Sequence, residues 1–598
     1  MEIAPDKENM VKSRYERVNW RWWWLAAWAG FMAWLLFQKW GAIHWFALGD
    51  TDDNMRMSQV RALLHGQGWY DLRQYKLNPP SGFNIHWTRL VDLPIAGLIL
   101  ATRPFFGGVV AEKIAVAVTP MLPLGLALYA LMLVLRRLVH PHAWPIALLI
   151  LAFADTTLAM WTPLRIDHHG WQLALLMLML AGGADRDRLR GGVIAGLAAA
   201  ASLTIGLEML PYLALGGTMT VLAWVRHDAA AIRLRGYGAA LAGGCAIGYA
   251  LFASYDNRAY VCDVLSPVYL STMLAAGALC VLLSMVPLKH RLNRFFVALA
   301  GGALLAIAFA LLWPDCLGRP ERISPELDQL WFRYIREAKP MWSQGYRVYV
   351  PVFAISVIGA LGSVIALWRN RSDERVMAWA TVTALSMAAT GMLFWQTRAG
   401  PAAQLLAVPG ATWLGWRCVH PFLKHDFSFG RLFIAALGLL VVTGQGAAFA
   451  LNLIPRSPET AARKHISLAN RQCPTLPALA PIARMPATTI LTFVDMGPRL
   501  ITVTHHSAVA GPYHRNGPAI LDVQHSFRSR DPEVAHDVMR RHGATLLLLC
   551  PGMSESTIYA SESRHGFYKQ LVSGQVPQWL EPVALPKGSP FLLWKRIA

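Results

Sequence analysis

Three carboxylates stand within four residues of the stretch GDTDDNM: Asp50, Asp52 and Asp53. A second group, Asp167-His168-His169, occurs in RIDHHG, and a further acid, Glu337, sits in YIREAKPMW. Carboxylate oxygens with a neutral imidazole suit a hard or borderline divalent cation such as Mg2+ or Mn2+. Such an ion can neutralise a diphosphate leaving group while a neighbouring carboxylate positions or deprotonates an acceptor. The Asp-x-His spacing of Asp167 and His169 lets both side chains reach one ion from a tight loop. Each group also has a plain structural reading. An Asp after an apolar run can cap a helix and face water, and an Asp-His-His triplet can be an ordinary turn. The choice depends on whether the chain brings the groups together.

The elements that position them are helices in a membrane. The 598 residues are 55% hydrophobic and 15% charged, a balance that belongs to a polytopic membrane protein. The net charge of +20 does not point to nucleic acid, because Lys and Arg fall in short clusters between apolar runs. That is the pattern of basic loops retained on the cytoplasmic side. At roughly 20 residues per span the chain divides into about thirteen membrane helices. The first, Trp20–Trp40, follows a polar, basic tail at 1–19 and reads as a signal anchor with its N-terminus inside and no cleavage site after it. The helical region runs over 20–453, with long outer loops at 43–108 and 313–349. An apolar piece at 91–106 reads as re-entrant or interfacial, and the second span covers 109–135. Every short loop placed inside carries at least two Lys or Arg, and every short loop placed outside at most one. On this topology Asp50, Asp53, Asp167 and Glu337 all face the outer side.

The same residues carry a resemblance. The chain is similar to the GT-C class of membrane glycosyltransferases, and most to the catalytic subunit of oligosaccharyltransferase with its archaeal and bacterial single-chain relatives. Asp50 and Arg56 stand at the family's first-loop spacing, Asp167-His168-His169 matches its Asp-His-His motif, and Ile335 with Glu337 matches a Thr-Ile-x-Glu motif in which Tyr334 replaces Thr. Arg398, in WQTRAGP, falls where the family has an Arg that contacts the donor phosphate. The resemblance implies a divalent cation, Mn2+ or Mg2+, on Asp50, Asp167, His169 and Glu337. It also implies Arg398 and Arg56 on the donor, and transfer of a sugar or oligosaccharide from a polyprenyl phosphate or diphosphate. Asp53 is the alternative base or ligand. The family's Trp-Trp-Asp motif has only FVDMGPRL as counterpart, with Asp495 and Gly497 but no tryptophan pair. An asparagine acceptor therefore does not follow, and a glycan, a lipid or a protein hydroxyl stays open. The competing reading, a transporter or flippase for a lipid-linked glycan, predicts ionisable residues inside helices and paired halves. Glu208 is the one such candidate, and no internal repeat is visible.

In the first outer loop His86 and Arg89 are candidate sugar or phosphate contacts, with Trp69 and Trp87 as loop anchors. Residues 454–598 change composition. TTILTFVD, ITVTHHSAVAG and ATLLLLCP read as strands, and DPEVAHDVMRRHG as a helix ended by Gly543. A small extracytoplasmic α/β domain is expected, with His506 and His514 near the acceptor. An oxidising exterior permits Cys262–Cys316 and Cys473–Cys550 disulfides. The expected setting is a bacterial inner membrane with the C-terminal domain periplasmic.

Overall fold

The computed structural model describes residues 19–597 except 425 and 457. The expected cytoplasmic tail thus falls almost wholly outside the described residues. The chain is mostly helical. Among the described residues five helical runs are long and apolar enough to cross a membrane: Asp92–Leu138, Arg188–Ile205, Pro267–Met285, Arg291–Leu312 and Tyr346–Arg369. A sixth is obtained if Phe429–Val442 and Gln445–Leu453, bent by 80° at Gly444, count together. Several other apolar helices are shorter or interrupted, such as His169–Gly183 and the pair Trp144–Ala152 and Asp155–Ala159. Trp20–His44 is a continuous 25-residue helix, but its many tryptophans make it less apolar than a run of aliphatics. The piece expected at 91–106 belongs to the helix Asp92–Val118, which changes direction at Gly107, where φ is +75°. A further break at Thr119–Pro120 separates that helix from Met121–Leu138, inside the span expected at 109–135.

Arg291–Leu312 leaves Phe296, Leu299, Leu304, Leu311 and Leu312 exposed. A helix this apolar and this uncovered has hydrocarbon for its solvent. The helices inside the bundle approach closely through small residues. A Cβ on Gly359 or Gly362 would meet the carbonyl oxygens of Ala407 and Gly410, and those of Gly238 and Gly277 would collide with each other's backbone. Small residues at such contacts let backbones touch where no hydrophobic force drives association.

The C-terminal region holds a five-stranded sheet in the order Ser507–Ala508, Thr489–Leu491, Ala544–Leu549, Leu592–Arg596, Leu580–Pro582. The first three strands are parallel and the last two pairings antiparallel. Gly543, at φ +62°, separates the helix Glu533–Arg541 from its strand. The stretch ITV at 501–503 ends the helix Gly497–Val503 and is not part of a strand. The segment after the first helix does not fold alone. It forms the helix Thr51–Leu64 and the hairpin Arg73–Gln74/Phe83–Asn84, and Leu77 bridges to Ala508 at the edge of the sheet. Met55, Leu77, Phe83 and Trp87 share one core with Ile490, Leu547 and Phe527, and Leu327 and Trp331 join it from the 313–349 loop. Cys262–Cys316 and Cys473–Cys550 are both bonded, with Cα separations of 5.3 and 6.4 Å.

Candidate functional site

The helix Thr51–Leu64 begins where the acid cluster begins. Asp50 is its N-cap: the carboxylate accepts the backbone N–H of Asp52 at 3.0 Å. This occupies one oxygen of Asp50 and places Asp52 and Asp53 in the first turn, where the helix dipole favours negative charge. Asp53 is buried and accepts the N–H of Asp167 at 3.1 Å, and Asp167 in turn accepts the N–H of His169 at 3.1 Å. The Arg165 guanidinium closes the group from behind, 2.6 Å from Asp167 Oδ2, 3.4 Å from Asp53 Oδ2 and bonded to Asp50. What remains in front is Asp52, Asp167 and His169, whose ligand atoms all lie within 4.8 Å of one another.

The electrostatics have one sign. Four carboxylates face one guanidinium. Burial and the charges of Asp50, Asp167 and Glu337 push the Asp52 carboxyl well above the usual range. Burial does the same to Asp53, with Arg165 opposing and Asp167 adding. At Asp167 burial is outweighed by Arg165, His169 and His168, and the group stays ionised. Two carboxylates and an imidazole around a point of excess negative charge are a donor set that fits Mn2+ or Mg2+, so these residues pass the test for such an ion. His168 turns away and bonds Glu208 Oε1 at 3.0 Å, while Gln172 donates to Glu208 Oε2 at 2.6 Å. Glu208 thus sits in the turn between Arg188–Ile205 and Leu210–Arg226, tied to this cluster.

The C-terminal region grips the same helix. The Tyr513 hydroxyl donates to the Thr51 carbonyl at 2.9 Å, Thr502 to the Asn54 carbonyl at 2.8 Å, and Arg499 to the Phe46 carbonyl at 3.1 Å. Asp495 opens onto this junction, and its carboxyl is pushed up to about 6, by burial among protein atoms first and by Asp50 second. Its N–H and that of Val494 donate to the two oxygens of Glu555, at 2.8 and 2.9 Å.

No family model matches this chain, and no curated protein matches it in sequence. Solved structures do match in shape. The Archaeoglobus fulgidus oligosaccharyltransferase AglB, in complex with an inhibitory peptide and a dolichol-phosphate, superposes with a TM-score of 0.67 at 14% identity, over 96% of this chain and 74% of that one. The same enzyme tethered to an acceptor peptide containing the NVT sequon gives 0.65 at 14% identity, over 97% and 75%. Its complex with Zn and sulfate gives 0.59 at 15% identity, over 92% and 69%. The fold is that of an oligosaccharyltransferase-like GT-C protein.

Within this GT-C fold the expected residues separate. Asp167 and His169 lie in one cluster. Asp50, expected as a ligand, is the helix cap and the partner of Arg165, and Asp52 takes its place beside Asp167. Glu337 is exposed on a short turn near enough to act on Asp52. Arg398 is exposed and pairs with Glu321 at 3.3 Å. Arg56, expected on the donor, is fully buried, bonded to Asp92 at 2.9 Å with its guanidinium 4.2 Å from the Trp87 ring centre. Arg89 is also fully buried and holds the other oxygen of Asp92 and backbone carbonyls. His506 is buried in the C-terminal core. One ring nitrogen bonds the Ile482 carbonyl and the other accepts from Thr488, so nothing is left for an acceptor. His514 bonds Asp263 at 2.7 Å. Arg165 is the residue that spacing alone passed over, while Asp52 and Glu208 were visible in the sequence but given no place in this site. The signal for Asp52 was the helix-forming run that follows it, which makes Asp50 a cap.

Proposed function

We propose that the protein is a divalent-cation-dependent membrane glycosyltransferase, taking a sugar or oligosaccharide from a polyprenyl phosphate or diphosphate and passing it to a glycan, lipid or protein acceptor. The observation that carries this is the convergence of Asp52, Asp167 and His169 from two distant segments, with an excess of negative charge that a divalent cation would balance. The ion would be Mn2+ or Mg2+, and it would supply charge neutralisation at the leaving phosphate.

The remaining roles belong to the chain. Asp52, Asp167 and His169 hold the cation, and Glu337 approaches from the 313–349 segment to complete the set. Arg165 fixes Asp50, Asp53 and Asp167 relative to one another. Arg398, exposed at the start of the helix Gly400–Lys424, supplies positive charge to the donor phosphate. Asp495 faces the acceptor, where a hydroxyl or amide can donate to its carboxylate. The fold shared with a protein whose structure includes a dolichol-phosphate supports a lipid-linked donor. The reaction belongs on the outer face of a bacterial inner membrane, with the N-terminus cytoplasmic and the C-terminal region periplasmic, in keeping with the basic loops.

The test is calorimetric titration of Mn2+ into the detergent-purified protein, with and without undecaprenyl phosphate. The parent is expected to bind one Mn2+, Asp52→Asn and Asp167→Asn to bind it far more weakly, and Arg398→Ala to retain Mn2+ but lose undecaprenyl phosphate. A parent that binds no Mn2+ under either condition overturns the reading.

A further inference from the structure

A second group of ligand-type side chains lies apart from the acid cluster. His86, Asp263 and His514 each offer one ligand atom, and these three atoms also lie within 4.8 Å of one another. They come from three remote segments. His86 follows the strand Phe83–Asn84, Asp263 is next to the disulfide-bonded Cys262, and His514 begins a short turn of the C-terminal region. The imidazole rings of His86 and His514 are 4.7 Å apart between centres.

An independent observation concerns His86 itself: its Nδ1 is buried and has no hydrogen-bond partner, and the neighbouring Asn84 Oδ1 is in the same condition. A buried polar atom in this condition can be satisfied by an ion or a water. The carboxylate of Asp263 is already oriented. Arg515 donates to Oδ2 from Nε at 2.8 Å and to Oδ1 at 2.5 Å, and His514 Nε2 lies 2.7 Å from Oδ2. Arg515 also reaches Asn257 Oδ1. A carboxylate has about four acceptor positions, so a cation can share Asp263 with Arg515, which then acts as the outer hydrogen bond that fixes a metal-bound carboxylate. The His514–Asp263 hydrogen bond is the contact that an ion would replace.

We propose that His86, Asp263 and His514 form a second divalent-cation site, of the class that prefers imidazole nitrogen, as Zn2+ does. Two imidazoles and one carboxylate select such an ion over Mg2+. The site shares no residue with the group Asp52, Asp167 and His169, and the Trp87 ring contacts both His86 and His168, 5.8 and 5.5 Å from each. Its effect is to clamp the C-terminal region and the turn at Cys262 onto the segment that carries Trp87, and so to hold the wall of the candidate active site. It does not depend on which reaction the protein catalyses.

The experiment is a titration of the chelator-stripped, full-length protein in detergent with Co2+, read by visible ligand-field absorption, with bound Zn2+ counted by equilibrium dialysis. The parent is expected to take up two ions, His86→Ala one, Asp167→Asn one, and the double variant none. Thermal unfolding controls for folding: stripped parent and His86→Ala should unfold together, with Zn2+ raising the midpoint more in the parent. If His86→Ala does not fold, His514→Gln carries the same test. Two ions retained in the folded variant overturn the proposal, as does a parent whose only ion is lost with Asp167→Asn. A parent whose only ion is lost with His86→Ala upholds this site and removes the ion from the proposed reaction.

Discussion

The helix Thr51–Leu64 carries two charged clusters one turn apart, and they are built on opposite plans. At its start, Asp50, Asp53 and the adjoining Asp167 share one guanidinium, Arg165, and Asp52 adds a fourth carboxylate that makes no direct bond to it. Further along, Arg56 and Arg89 enclose Asp92, all three fully buried, with further bonds to the carbonyls of Thr88, Gln59 and Asp71 and the ring of Trp87 beside Arg56. The second cluster has its carboxylate satisfied and gives a ligand no entry. The first carries surplus charge of one sign at a half-buried position. Closed, hydrogen-bonded charge holds the loop to the bundle, whereas uncompensated charge is costly unless something binds to it.

Breaking each cluster should separate the two roles. The largest effect is expected from Arg56→Met, which leaves Asp92 short of one partner and should cost about 3 to 5 kcal/mol of stability, the range for breaking a buried pair. Thermal or denaturant unfolding measures it, and the fraction that folds should bind Mn2+ as the parent does. Asp167→Asn should do the reverse. Mn2+ affinity falls by about 100-fold or more, while the unfolding midpoint without metal stays close to that of the parent. A smaller contrast lies within the acid cluster itself: Asp52→Asn should weaken Mn2+ binding about tenfold more than Asp50→Asn, because only Asp52 faces the shared position. Equal losses would return Asp50 to the ligand set.

A third pair, Glu555 and Asp495, sharpens the comparison, since Glu555 is buried like the second cluster and the pair is unbalanced like the first. Glu555 takes two backbone N–H groups and the Tyr559 hydroxyl, yet burial, with Asp495 next, raises its carboxyl from 4.5 to about 8. The folded protein therefore holds a proton that the unfolded chain releases between those values. This contribution to stability is full below about pH 4.5, declines as pH rises, and is gone above about pH 8, with a slope of at most about 1.4 kcal/mol per pH unit. Glu555→Gln should flatten that slope, as followed by tryptophan fluorescence on heating at a series of pH values.

Some of this was legible in the residues. The apolar runs and the basic loops between them give a helical membrane protein, and the motif order at Asp167-His168-His169 and Glu337 points to the GT-C fold. The β-branched stretches at 489 and 544 read as strands because alternation and flanking turns are local properties. Other features were not legible for a physical reason. Arg56 matches a family spacing, but its burial depends on Asp92 and Trp87, which are 36 and 31 positions away. His506 looks as available as His514, and only the carbonyl of Ile482 shows that it is occupied.

By itself, then, the sequence determined the solvent of each segment, because hydropathy and charge are properties of single residues and short windows. It also determined which residue types were on hand for chemistry. The tertiary structure decided which of them meet. Asp52 faces Asp167 because Asp50 spends its carboxylate on a helix cap. The 43–108 segment lies in the core of the C-terminal sheet because Leu77 pairs with Ala508 across more than 400 residues. Such contacts are set by packing between remote parts of the chain, and no local pattern encodes them.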